Sequence, residues 1–233
     1  MAETIALKTL LWIGAGSFLP ALFWLWFWLK EDKKKPEPSG LLALTFIAGT
    51  ITVFIVFPLE ELAYSYVSGT LLVATLAVIE EVMKYLAIYF VALRSKYFDE
   101  PIDAVIYAIT VALGFSAMEN FLYIINIFNE SGAVGSIMNG NLRFIGATLL
   151  HTVSSSAIGV AIAFSIYATR FKKLIYLLMG IITASVLHTA FNLSIIKTEN
   201  IGEILTVFFY LWLFIIILIL LLEKIKRIKI RRW

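Results

Sequence analysis

Apolar residues run along this chain in blocks of membrane-crossing length, separated by short polar connections. Segments of roughly 17 to 25 mainly apolar residues read as spanning helices. Seven such segments occur, at about 5–29, 41–57, 69–93, 104–127, 142–168, 174–196 and 203–222. The pattern predicts an all-α, polytopic transmembrane bundle. The second segment is the shortest, and Pro58 directly after it predicts a helix end there, because proline steers the preceding residue away from the α region. The first is too long for a signal peptide, ends in Trp24, Trp26 and Trp28, and has no small-residue cleavage site after it, so it is expected to stay as an anchor.

Composition agrees with the pattern. The chain is 61% hydrophobic and 15% charged, with a mean hydropathy of +0.92, against about 45–50% apolar and about 25% charged residues in soluble domains. The lipid bilayer is therefore its first partner. Lys and Arg gather in alternate connections and in the tail, which together hold 15 of the 19. Cytoplasmic loops are enriched in these residues, so the N-terminus is expected outside and the C-terminus inside. The tail at 223–233 reads as a basic cytoplasmic anchor, with no nucleic-acid partner called for. The chain has no cysteine, which excludes disulfides and thiolate chemistry. With no loop long enough for a soluble domain, residues 1–233 read as one transmembrane domain.

Few polar groups interrupt the apolar blocks, and they are not scattered. Glu80, Glu81 and Lys84 lie in the third segment, Glu119 and Asn120 in the fourth, His151 in the fifth, and His188 and Asn192 in the sixth. A carboxylate in mid-membrane costs at least a few kcal/mol on insertion scales, so such residues face a protein interior and mark function. At 1.5 Å per residue from the predicted outer ends, Glu80, Glu119, His151 and His188 lie roughly 12 to 17 Å deep and Asn192 roughly 6 Å. Four helices thus place polar groups in one layer of the outer half. Glu80 and Lys84 are four apart and share a face, whereas Glu81 points about 100° away from Glu80. Phe115, Glu119 and Tyr123 fall in one row, as do His188 and Asn192.

Carboxylates, imidazoles and an amide in an apolar pocket suit hydrolysis. A carboxylate whose pKa is raised by burial activates water as a general base, and imidazole or amide donors stabilise the oxyanion formed when that water attacks a carbonyl. No H-E-x-x-H pair is present for a zinc protease. No pair of membrane aspartates is present either, since Asp32, Asp99 and Asp103 lie in connections or at helix ends. No G-x-S-G occurs, and Ser154, Ser155 and Ser156 read as small packing residues. A glutamate-type peptide hydrolase remains, with no cofactor called for, although Glu and His together keep a metal open.

The same residues resemble a known family. Glu80-Glu81-Val82-Met83-Lys84 is similar to the E-E-x-x-K motif of the PrsW proteases, within the superfamily of CAAX prenyl endopeptidases and bacteriocin-processing enzymes. Phe115 to Glu119, continued through Asn120 to Tyr123, resembles the F-x-x-x-E second motif; His151 resembles the single-histidine third, and His188 to Asn192 the closing H-x-x-x-N. The likeness spans about 69–196, and where CAAX endopeptidases carry histidine this chain has Glu119. The resemblance implies that Glu80 activates water with Glu81 assisting, and that His151, His188 and Asn192 bind the scissile carbonyl or its oxyanion. Glu119 would sit beside them, with Lys84, Phe115, Asn120 and Tyr123 in support. It also implies a membrane-anchored protein substrate, an anti-sigma factor cut on its extracytoplasmic side, and residence in the cell membrane of a prokaryote. Two other functions stay open at this level. Buried Glu and His chains also serve proton- or ion-coupled transport, and the fold can act as a non-catalytic scaffold.

Overall fold

The computed structural model describes residues 7–32, 35–198 and 200–228, with the side chains of 130–145 left out. Every element in it is helical: α1 (Leu7–Leu29), α2 (Ser39–Tyr66), α3 (Gly69–Ile88, continued by a π-helical turn over Tyr89–Leu93), α4 (Pro101–Ser165), α5 (Arg170–Ile196) and α6 (Ile201–Ile225). Within α4, Ser116 Oγ lies 3.2 Å from Thr148 Oγ1, yet 32 residues of straight helix would hold them roughly 48 Å apart. The chain therefore doubles back between two antiparallel arms, Pro101–Asn129 and Gly146–Ser165. The stretch between the fourth and fifth expected segments is helical in backbone, and most of it falls among residues whose side chains are not described.

Both arms of α4, together with α1, α2, α5 and α6, are long and apolar enough to cross a membrane, six spans among the described residues. The seventh expected span is α3, which is not among those six; it carries Glu80, Glu81 and Lys84, all buried. The expected end at Pro58 is corrected, because α2 runs through Pro58 to Tyr66. Proline removes one intrahelical hydrogen bond, but in membrane helices packing and hydroxyl groups offset that loss. Pro58 frees the carbonyl four residues earlier, at Phe54, and α2 nevertheless stays helical across it. Only Val67 and Ser68 separate α2 from α3, and Gly69 at φ +62° makes the reversal.

The first arm of α4 is the core of the bundle. Of its most apolar window 94% is buried inside the protein, against 17% for α1 and for α6. Pro101 opens it, and Asp103 Oδ2 accepts the backbone N–H groups of Asp99 and Glu100 at 2.9 and 2.7 Å. These are donors that a helix start otherwise leaves orphaned. Gly114 and Gly49 let α4 and α2 touch backbone to backbone. A Cβ on Gly114 would sit 2.1 Å from the Phe46 carbonyl oxygen, and one on Gly49 2.2 Å from that of Val111. Such contacts let helices approach closely in lipid.

At one end of the bundle Lys35 pairs with Asp99, and Lys226 with Glu31 at 2.6 Å, so the α1–α2 and α3–α4 connections and the chain end after α6 share one face. Beneath them Asp32 is buried. Burial, with Glu37 and Glu100 nearby, pushes its carboxyl pKa up to about 6.

Gly114→Ala is expected to destabilise the bundle by about 1–3 kcal/mol through overpacking against the α2 backbone. Gly16→Ala, where nothing lies within 4 Å, should be neutral or stabilise by up to about 1 kcal/mol. Thermal unfolding in detergent measures both; equal effects would contradict the backbone contact.

Candidate active site

Lys84 stands at the centre of the polar cluster and is fully buried. Its ammonium lies 3.1 Å from Glu80 Oε2, 2.9 Å from Glu81 Oε1 and 2.8 Å from His151 Nδ1. An ammonium has three donors and no acceptor, so these three partners complete it. Phe115 lies beneath, its ring centroid 4.2 Å from Nζ and 5.5 Å from the His151 ring. The 100° phase difference does not part the two glutamates from the lysine, because i+3 and i+4 positions both lie within a side chain's reach on a helix.

These contacts fix the histidine tautomers. Since Lys84 can only donate, His151 Nδ1 accepts, and the ring proton sits on Nε2, which donates to Glu119 Oε2 at 2.7 Å. His188 Nδ1 lies 3.0 Å from Glu81 Oε1 and donates to it, which leaves Nε2 3.9 Å from Glu80 Oε1. The two imidazoles meet edge to face at 4.9 Å.

The two glutamates then differ in what surrounds them. Glu81 is wholly buried and saturated: Oε1 takes Lys84 and His188, and Oε2 takes Ser155 Oγ at 2.7 Å. Ser154 Oγ reaches Oε1 at 3.2 Å while also facing the Leu150 carbonyl at 2.9 Å, so its one proton is shared. Glu80 has a single hydrogen-bond partner among the described residues, Lys84, and lines a cavity of about 590 Å³. Glu119, Tyr123, His151, His188 and Asn192 line the same cavity. It extends through Tyr64 to Thr198 and Ile204, toward the end of the bundle opposite Lys35 and Lys226.

Most residues singled out in the sequence thus converge on one space. Asn120 does not line it; fully buried, its amide lies 3.5 Å from Ser116 Oγ and 3.4 Å from Thr148 Oγ1, holding the two arms of α4 together. Reading all three serines as packing residues is corrected for Ser154 and Ser155, which bind Glu81; Ser156 donates to the Val153 carbonyl instead. Their signal was the spacing, three and four residues after His151 on one face. Glu60 was missed, and it lines the cavity because α2 continues past Pro58.

Fold and site together define a polytopic membrane protein with an intramembrane carboxylate–imidazole centre open to a cavity. Comparison with known proteins gives the family. The family described as PrsW family intramembrane metalloprotease matches residues 37–221, and the chain belongs to it. Among relatives, the protein named Protease PrsW of Geobacillus kaustophilus (strain HTA426) is 26% identical over 228 residues, covering 93% of this chain and 92% of the relative. That of Bacillus subtilis (strain 168) is 25% identical over 214 residues, covering 87% and 91%. That of Clostridioides difficile (strain 630) is 27% identical over 177 residues, covering 71% and 72%. No solved structure matches.

The family's description implies a metal, and Glu80, His151 and His188 offer donor atoms within 4.8 Å of one another. Two imidazoles and a carboxylate are a common catalytic zinc set. The arrangement does not fit one. Lys84 donates to His151 Nδ1 and to Glu80 Oε2, occupying lone pairs of two of the three ligands, and His151 Nε2 carries the proton given to Glu119. Only His188 Nε2 and Glu80 Oε1 remain, beside a fixed positive charge that opposes a second cation.

Lys84→Met leaves two buried carboxylates uncompensated and is expected to cost about 3–5 kcal/mol. Ser155→Ala removes one partner of Glu81 and should cost about 1–3 kcal/mol. Unfolding in detergent ranks the two; a harmless Lys84→Met would contradict the central role of the ammonium.

Proposed function

We propose that this chain cuts a membrane-anchored protein within the bilayer, with Glu80 as the general base that activates water. As a PrsW family member it is a peptide hydrolase of the membrane. The observation that carries the glutamate mechanism is the asymmetry of the pair: Glu81 is saturated, whereas Glu80 faces the cavity with Oε1 outside any hydrogen bond among the described residues.

In this reading Lys84 holds Oε2 and fixes the carboxylate while Oε1 takes a proton from water. The water oxygen bonds to the scissile carbonyl carbon, and charge moves to the carbonyl oxygen. The Asn192 amide, one turn along α5 from His188 and lining the same cavity, supplies a donor to that oxyanion. Glu80 then passes its proton to the leaving nitrogen as the C–N bond breaks, and is ready for another turnover. Glu81 orients His188 and Lys84, and Glu119 orients His151 through Nε2.

The substrate we infer is a single-span protein such as an anti-sigma factor, cut on its extracytoplasmic side in the cell membrane. Two features support this: the basic connections share one face, which the charge bias assigns to the cytoplasm, and the cavity extends toward the other. Membership in a protease family favours hydrolysis over ion-coupled transport.

Reconstituted into liposomes with a single-span substrate, Glu80→Gln is expected to lower turnover by about 10²- to 10⁴-fold, with helicity and unfolding temperature retained. Undiminished cleavage by that variant would remove Glu80 from the chemistry.

A further inference from the structure

Far from the cavity, three carboxylates converge beneath the face that carries Lys35 and Lys226. Asp32 and Glu37 come from the connection between α1 and α2, and Asp103 from the first turn of α4. All three are buried, at 4%, 8% and 0% exposure, and each offers an oxygen within 4.8 Å of the others. Asp103 is 16 residues before Glu119, roughly 24 Å along the helix, so the cluster is separate from the active site.

Part of the cluster is accounted for. Asp103 Oδ2 caps α4, the Tyr107 hydroxyl donates to Glu37, and the backbone N–H groups of Lys35 and Glu37 donate to Asp32. Two oxygens are not: Asp103 Oδ1 and Asp32 Oδ2 are buried with no hydrogen-bond partner among the described residues, and no described Lys, Arg or His is within ion-pair distance of any of the three. Buried charge without a partner is costly, and unsatisfied buried oxygens call for an unseen water or ion. Hard oxygen donors from three positions match a hard divalent cation. Calcium binds oxygens at about 2.3–2.6 Å, so its ligands stand up to about 5 Å apart, whereas magnesium at about 2.0–2.1 Å holds them closer. The remaining positions of its shell are open to water, because Asp32 and Glu100 line a cavity of about 480 Å³ beside α6.

We infer that Asp32, Glu37 and Asp103 form a calcium-class divalent cation site that ties the α1–α2 connection to the start of the central helix. It is a structural clamp. Without the cation, three carboxylates from two segments repel; with it, α1, α2 and α4 are joined at the end of the bundle where α4 begins.

The full chain in detergent tests this with terbium as probe, since terbium takes calcium's oxygen ligands and is sensitised by a nearby aromatic ring such as Tyr107. The expected result is saturable luminescence at one ion per chain, displaced by calcium at lower concentration than by magnesium, together with a calcium-dependent rise in unfolding temperature. Asp32→Asn and Glu37→Gln, which spare the Asp103 cap, should each weaken terbium binding at least tenfold, while Glu223→Gln and Glu80→Gln should leave it unchanged. Absence of saturable binding to the folded wild-type chain, unchanged binding in both Asp32→Asn and Glu37→Gln, or preferential displacement by magnesium would each overturn the assignment.

Discussion

The buried ammonium of Lys84 is the interaction on which the rest of the site depends. Adjacent ionised glutamates repel, and in a low-dielectric interior that repulsion is strong. One lysine reaching both carboxylates and His151 at 2.8 to 3.1 Å makes the cluster electrically tolerable and also sets its geometry. It fixes the His151 tautomer, which points the ring proton at Glu119. It holds one oxygen of Glu80 while leaving the other to the cavity. A buried ion network of this kind is weak support for stability on its own; its role is to pose charged groups that would otherwise neutralise or point elsewhere.

That network needs a rigid frame, and the first arm of α4 supplies it. The two arms of α4 together touch α1, α2, α3, α5 and α6, and the glycine contacts at Gly49 and Gly114 bring α2 against the first arm without intervening side chains. Asn120 and Ser116 join it to Thr148 on the returning arm, which sets His151 opposite Glu119. The hydroxyls of Ser154 and Ser155, one turn on, then meet Glu81. Positions distant in sequence are thus posed by helix periodicity and by two reversals of the chain.

Much of this was legible in the sequence. Membrane-length apolar blocks gave the all-helical bundle, and helical rise placed Glu80, Glu119, His151 and His188 in the single layer where they now line one cavity. What escaped has physical causes. Glu60 is invisible to a rule that ends helices before proline, because α2 continues through Pro58 to Tyr66 and proline is tolerated inside membrane helices. Ser154 and Ser155 look like filler in the sequence because small residues do pack membrane helices; only the position of Glu81 on a neighbouring helix distinguishes a donor from a spacer. The phase angle overstated the separation of Glu80 and Glu81, since a lysine side chain is long enough to reach both. The unequal surroundings of the two glutamates depend on α4 and α5, which periodicity within α3 cannot reveal.

A family described as metalloproteases here presents a site whose would-be ligands already serve a lysine. The most direct test is the transition-metal content of the purified, active protein, measured by elemental analysis and plotted against specific proteolytic activity over several preparations. With Lys84 as the site's cation, activity is expected to be independent of zinc, cobalt, manganese and iron, each well below one atom per chain. One atom of any of them per chain, with activity proportional to its occupancy, would contradict the account.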